Sequence, residues 1–194
     1  NELFCMIFDL VGANSHIWRK RHVFSHHSYT NIQDVDADLK PNPILRIFPH
    51  DPWRPVHKYQ YIYAPFLYLV YTLFWLLIRD FSDFRTSEIG SLRFDGQPKK
   101  EVLKLWFFKS MYLGYIVILP ILVSSLSWYE VLLGFFIMHN GASAFISLAL
   151  VPSHVAEYAK FPLPDERGEM KASWSHHQLS TAIDFATDNW FLNY

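Results

Sequence analysis

Ten histidines in 194 residues, beside a single cysteine, raise the question of what imidazole can do in this chain. The strongest pattern is His22-Val-Phe-Ser-His26-His27. Helical residues four apart share a face, so His22 and His26 can grip one ion while His27, one residue further round, reaches a neighbouring one. Imidazole suits Zn, Cu, Fe and Ni. Cys5 alone supports neither an intrachain disulfide framework nor a thiolate metal site. That leaves a site built from histidine, or from histidine with carboxylate. The competing reading is a solvated basic patch, because Arg19, Lys20 and Arg21 come just before. Beside membrane helices the metal reading gains, since ionisable groups at a membrane are usually functional.

Other candidates fall around this core. His154 follows a long apolar run and is expected level with the first cluster, with a helix-capping histidine as the alternative. His139 lies fifteen residues earlier, roughly 22 Å along a straight helix, so it is expected to be hydrogen-bonded inside a bundle and not to share that cluster. The adjacent His176 and His177 point in different directions on a helix. One of them is a candidate ligand or a donor behind the ligands, and the alternative is a surface pair. His16, His50 and His57 show no partner pattern. Asp34-Val-Asp36-Ala-Asp38 invites a calcium loop, but Leu39 and Leu45 stand where that loop needs Gly and Glu. Two readings of these carboxylates remain: they orient the histidines or contact a polar partner, or they form a solvated turn.

The elements that must position these residues are apolar. Hydrophobic residues make up 51% of the chain and aromatics 18%. The net charge of -1 offers no global basic field for nucleic acid. Uncharged stretches run over Tyr61–Ile78 (18 residues), Ser110–Tyr129 (20) and Val131–Ser153 (23); a crossing helix needs about 20 apolar residues. Between the last two stands only Glu130, while Lys99, Lys100, Lys104 and Lys109 precede the pair and Lys160, Arg167 and Lys171 follow it. By the positive-inside rule this predicts a transmembrane hairpin with both outer ends cytoplasmic and Trp128 and Tyr129 anchoring the far interface. The stretch Tyr61–Ile78 has basic residues on both sides (Arg54 and Lys58, Arg79 and Arg85) and contains Pro65. A re-entrant or interfacial helix is expected there; a true crossing would separate His22 from His154.

Pro41–Pro55 reads as a proline-punctuated connector, Phe81–Lys100 as a polar loop with Gly90 and Gly96, and Phe161–Gly168 as a second loop. Ala172–Asn189 reads as a partly amphipathic helix. The small residues in His139-Asn-Gly-Ala-Ser-Ala144 allow close helix approach. Leu3–Val11 reads as the tail of a longer apolar helix, and the sequence is expected to continue beyond both ends. The expected fold is all-α: one domain over 1–194, a membrane helical bundle made of a transmembrane hairpin plus interfacial helices, under a cytoplasmic histidine-rich cap.

Trp18-Arg-Lys-Arg-His22-Val-Phe-Ser-His26-His27-Ser-Tyr29-Thr30-Asn31-Ile32 resembles the second histidine box of membrane fatty acid desaturases, most of all the acyl-lipid, linoleoyl-CoA and front-end branch. Asp36-Ala-Asp38, Trp53-Arg-Pro-Val-His-Lys-Tyr59-Gln60, Phe161-Pro-Leu-Pro-Asp-Glu-Arg-Gly168 and the run His177-Gln178-Leu-Ser-Thr181 to Phe185 and Asn189-Trp190 are similar to that branch as well, in order. The resemblance implies a helical integral membrane protein with a centre of two non-haem irons on the cytoplasmic face. It implies O₂ as co-substrate, electrons from a cytochrome b5 or ferredoxin type donor, and an acyl lipid or acyl-CoA as substrate. It places His22, His26 and His27 on second-box iron ligands and His154 on an extra ligand after the last transmembrane helix. His177, Asp36, Asp38, Trp18 and Asn31 are then expected behind the ligands or against substrate. The first and third boxes are not within these residues, and Leu150 stands where the branch often has Gln. The stretch by itself is therefore expected to bind iron weakly and to be inactive. A related membrane di-iron hydroxylase or ketolase is the enzyme alternative, and a non-enzymatic membrane metal-binding protein the alternative of another class.

Overall fold

The computed structural model describes residues 2–40, 42–155, 157–183 and 188–189. Helices carry the fold; among the described residues strand is confined to an antiparallel pair, β1 (Glu88–Ile89) and β2 (Leu92–Arg93). The chain opens with α1 (Glu2–Leu10) and α2, an α-turn over Ser15–Trp18 that runs on as a π-helix over Arg19–His26. Next come α3 (Pro55–Leu69), α4 (Tyr71–Arg85), α5 (Lys99–Val123), α6 (Trp128–His154) and α7 (Trp174–Thr181).

The expected hairpin is α5 and α6. Their 25 and 27 residues give about 38 and 40 Å of helix, longer than the roughly 30 Å hydrocarbon core. Their apolar windows reach a mean hydropathy of 1.7 and 1.6, yet only 17% of each is buried in protein. Leu122, Phe145 and Leu148 are more than 70% exposed. A continuous apolar surface of that size fits lipid. At the reversal the Glu130 carboxylate accepts the Ser127 N–H at 2.7 Å and so caps the start of α6.

The stretch Tyr61–Ile78 is not one straight helix. α3 and α4 meet at Val70 with a bend of 61°. The backbone leaves helical geometry at Val70, and the Thr72 N–H is taken up from outside, by Ser143 Oγ of α6 at 3.0 Å. Thr72 Oγ1 also shares hydrogen bonds with Ser143 Oγ at 2.8 Å and His139 Nδ1 at 2.9 Å. His139 is indeed an internal residue: its Nε2 meets Tyr112 OH at 2.9 Å, which ties α5 to α6. Of the small residues beside it, Ser143 makes the close contact, while a Cβ on Gly141 would meet open space.

Several sequence expectations change. Lys109, a member of the expected basic flank, is buried: its ammonium donates to Asp80 Oδ2 and Gly12 O, both at 2.6 Å, and to Leu76 O at 2.8 Å. Arg79 is likewise turned inward, with only 11% of its side chain exposed, and pairs with Asp38. The exposed basic flank is thus Lys99, Lys100 and Lys104, in the first turns of α5. The expected loop from Phe81 is helical as far as Arg85, where Asp80 and Asp83, on one turn of that helix, pair with Lys109 of α5 and Arg21 of α2. The expected helix from Ala172 begins at Trp174 and stops at Thr181, where the chain turns extended and Ile183 N–H pairs with Ser153 O at 3.1 Å. Residues 184–187 of that expectation lie outside the described residues, as do Phe185 and Trp190 of the resemblance.

Candidate metal centre

The histidine helix is set by its neighbours. Asn14 caps α2, its side-chain oxygen accepting the Ile17 N–H at 2.9 Å. Asp9 takes the Ser15 N–H and hydroxyl at 2.9 and 2.7 Å. At the other end Ser25 Oγ donates to Val35 O at 2.8 Å and accepts the Ala37 N–H at 3.0 Å, which folds the acidic turn back onto the helix. Gly90, at φ +56°, lies so close that a Cβ there would stand 2.2 Å from Ser25 Oγ and 2.5 Å from Val35 O. The β-hairpin is therefore a buttress for α2.

The π geometry alters the expected pairing of rings. A π-turn closes on the fifth residue, and His27 N–H bonds His22 O at 2.9 Å. His22 and His27 are thereby brought edge to face, 4.5 Å between centroids, with their Nε2 atoms 3.1 Å apart. His26 lies 5.2 Å from His22 and 5.5 Å from His27. From α6, His154 meets His26 nearly at right angles, 4.7 Å away. All four expected ligands are in one cluster, although among the described residues no three side chains converge on a single point as a preformed cation site.

The other nitrogens are held from behind. His26 Nδ1 lies 2.8 Å from Asp36 Oδ2, and His22 Nδ1 2.8 Å from Asp38 Oδ2. A carboxylate accepts, so each Nδ1 carries a proton, and in the neutral ring Nε2 is the nitrogen that keeps its lone pair. His154 Nδ1 is directed in the same way to Thr181 O at 3.3 Å. This is the tautomer control that metal-binding imidazoles require. Two imidazole nitrogens bound to one ion at about 2.0–2.1 Å lie about 3.0–3.4 Å apart, which the His22–His27 spacing matches. The donor set fits a metal of imidazole preference.

Electrostatics follow from these contacts. Burial lowers the pKa of His26, but the hydrogen bond and charge of Asp36 outweigh it and leave the net value raised. His27 is pushed down, first by loss of water and then by His22, His26 and His154, which favours its neutral form. Burial would raise Asp38, yet Arg79, the bond from His22, and Arg21 together hold its carboxyl well below the usual range.

The remaining expected residues have definite places. Trp18 stacks between Phe8 (4.4 Å) and His22 (5.1 Å), fixing one ring face. Asp36 is fully buried and accepts from His26 and from the backbone N–H groups of Asn31, Asp38 and Leu39. The solvated-turn reading of the acidic run is thus excluded for Asp36 and Asp38. Asn31, at φ +59°, donates its amide to the carbonyls of His154, Lys160 and Thr181. His177 is buried while His176 is exposed. His177 Nε2 donates to Thr30 O at 2.8 Å and its Nδ1 has no partner, so it supports the segment after His27 and not the ligand rings directly. Leu150 is exposed on α6.

Of the histidines without a pattern, His57 accepts the Arg54 N–H and donates to Pro43 O, and His50 reaches Phe161 O. These are loop ties. Sequence reasoning missed Arg79, Arg21 and Asp83 as the charged frame behind His22. The one signal was an arginine closing an aromatic, otherwise uncharged run.

The family model described as fatty acid desaturase matches residues 1–194. The chain is 33% identical over 190 residues to an acyl-lipid (8-3)-desaturase of Physcomitrium patens, covering 94% of this chain and 38% of that protein. It is 29% identical over 195 residues to an sn-1 linoleoyl-lipid 6-desaturase of Synechocystis, covering 100% of this chain and 54% of the relative. A probable Delta(5) fatty acid desaturase C of Dictyostelium discoideum is 30% identical over 191 residues, 94% of this chain and 41% of its own. The chain therefore spans between 38% and 54% of the length of these relatives. No solved structure matches it. The residues that build the cluster thus sit in a sequence matched along its whole length, and the chain belongs to the fatty acid desaturase family.

Proposed function

We propose that this protein is an oxygen-dependent di-iron desaturase that introduces a double bond into the acyl chain of a membrane lipid. The observation that carries the reading is the paired arrangement behind the rings. His22 and His26 each hold Nδ1 on a separate carboxylate, that of Asp38 and that of the buried Asp36, and His22 Nε2 stands 3.1 Å from His27 Nε2. His22, His26, His27 and His154 would hold iron, with further ligands from other parts of the protein. Bound iron with O₂ supplies the oxidising power that side chains lack for an unactivated methylene.

The chain's own residues orient and enclose. Trp18 fixes the His22 ring, Asn31 fixes the end of α6, and the aromatic surface of α3 and α4 with the hairpin offers a wall for an acyl chain. Both flanks of the bent pair support a re-entrant or interfacial path. Gln60 grips the backbone of Arg46, and Asp51 of the same loop bonds Gln33, six residues past His27. At the other flank Arg79 reaches Asp38. The exposed Lys99, Lys100 and Lys104, with Lys160, Arg167 and Lys171, support a cytoplasmic histidine face. Electrons then come from a cytochrome b5 or ferredoxin type donor on that side. The names of the relatives favour a lipid-bound acyl chain over acyl-CoA.

The test uses full-length protein, analysed for iron and given a labelled acyl lipid. Two irons per chain, lost in His26→Ala/His27→Ala, and an unsaturated product are expected. A hydroxylated product would move the protein to the related hydroxylases or ketolases. Normal oxidation by the double variant would refute the ligand assignment.

A further inference from the structure

The two carboxylates behind the histidines are themselves held in different ways. Asp36, behind His26, is fixed by three backbone N–H groups of its own turn. Asp38, behind His22, is fixed by side chains from elsewhere. Arg79 Nη2 of α4 and Arg21 Nε both donate to Asp38 Oδ1, which leaves Oδ2 facing His22 Nδ1 at 2.8 Å. Arg21 is in turn balanced by Asp83, at 3.1 and 3.2 Å to its two oxygens.

Arg79 is the outlying member of this frame. Its side chain is 11% exposed. Its Nη1 donates to Tyr71 OH, and its guanidinium lies 5.5 Å from the Trp75 ring and 5.7 Å from the Tyr71 ring. A planar guanidinium with stacked faces and a bidentate reach is poorly replaced by lysine. A cation so largely removed from water persists only where it is paired. A continuous line of contacts therefore runs from Tyr71 through Arg79 and Asp38 to His22.

We propose that Arg79 is a positioning residue for the metal centre. Through Asp38 it fixes the tautomer and aim of His22, and it makes that ligand, unlike His26, depend on the placement of α4. The inference rests on His22 being a ligand. Partners behind metal-binding histidines typically contribute about 10–100-fold in metal affinity.

The test compares His22→Ala, Arg79→Gln, Arg79→Lys, Asp38→Asn and Asp38→Asn/Arg79→Gln in full-length protein reconstituted with ferrous iron. Iron affinity and the Mössbauer spectrum are read, with thermal melting as a control. Arg79→Gln is expected to stay folded, to bind one of its irons about 10–100-fold more weakly, and to change the spectrum of that iron while the other is kept. Arg79→Lys should restore part of the affinity. Asp38→Asn/Arg79→Gln should bind iron no worse than Asp38→Asn, since both substitutions cut the same line. Wild-type affinity and spectrum in Arg79→Gln, with iron lost in His22→Ala, would overturn the role of Arg79 alone. Iron retained in His22→Ala would instead overturn the ligand reading beneath it. If Arg79→Gln fails to fold, the double variant, which removes both charges together, decides against Asp38→Asn: equal affinity supports the route through Asp38, and a further loss overturns it.

Discussion

The side-chain amide of Asn31 donates to the backbone carbonyl of His154, 123 residues further along the chain, at 2.9 Å. The same amide reaches Lys160 O at 3.1 Å and Thr181 O at 3.2 Å. One buried side chain thus joins the turn after the histidine helix to the end of α6 and the end of α7. His154 approaches His26 because both are tied to this node, His26 through Thr30 Oγ1 to its own carbonyl and His154 through Thr181 O.

Asn31→Gly should separate the node from the backbone strain. Glycine accepts φ +59° without a Cβ penalty, so the loss is that of the side-chain hydrogen bonds. At about 1 kcal/mol each for buried bonds, a destabilisation of about 2–3 kcal/mol is expected in detergent melting. Asn31→Ala should cost about 1–2 kcal/mol more, because alanine is strained in the left-handed region. Equal melting temperatures for the two would show that the backbone conformation relaxes.

Much of this was legible in the sequence. Uncharged runs of 20 and 23 residues set the hairpin, and the spacing of His22, His26 and His27 set the candidate ligands. Three things were not legible. The π-helix that pairs His22 with His27 leaves no periodic trace over eight residues. The break at Val70 is stabilised by Ser143, a residue 71 positions past Thr72, so no local signal marks it. Lys109 and Arg79 read as flanking surface charges because their partners Asp80 and Asp38 lie 29 and 41 positions away. The sequence shows which charges exist, and only packing decides which of them are buried.

Gly90→Ala should disturb the centre without touching it. A Cβ would stand 2.2 Å from Ser25 Oγ and 2.5 Å from Val35 O, and alanine at φ +56° adds strain of about 1–2 kcal/mol. Either the hairpin lifts or Ser25 gives up its bonds to the acidic turn. Faster proteolysis between residues 86 and 96, with weakened iron binding, is the expected result. Wild-type protease resistance would show that the hairpin is not a buttress.

The bend between α3 and α4 should respond to Ser143→Ala. That substitution leaves the Thr72 N–H without its acceptor, and interhelical hydrogen bonds of this kind in membrane proteins contribute about 0.6–1.7 kcal/mol. Thr72→Val should cost a similar amount by removing the contacts with His139 and Ser143. Because the two residues share their bonds, the double variant should be less destabilised than the sum of the singles. Strict additivity in thermal melting would mean that the two act separately.

Lys109 and Asp80 give the sharpest stability contrast. Both are buried, and the pair closes at 2.6 Å while Trp75 Nε1 donates to the other Asp80 oxygen at 2.9 Å. Lys109→Met strands a buried carboxylate, and breaking a buried pair from one side costs about 3–5 kcal/mol. Lys109→Met/Asp80→Asn removes both charges and keeps an amide for Trp75, so it should recover most of that loss. Gly12 O and Leu76 O also lose the ammonium, which sets a residual deficit of about 1–2 kcal/mol. A double variant no more stable than Lys109→Met would show that the ammonium's bonds to the two carbonyls, and not the charge pair, hold α1 and α4 against α5.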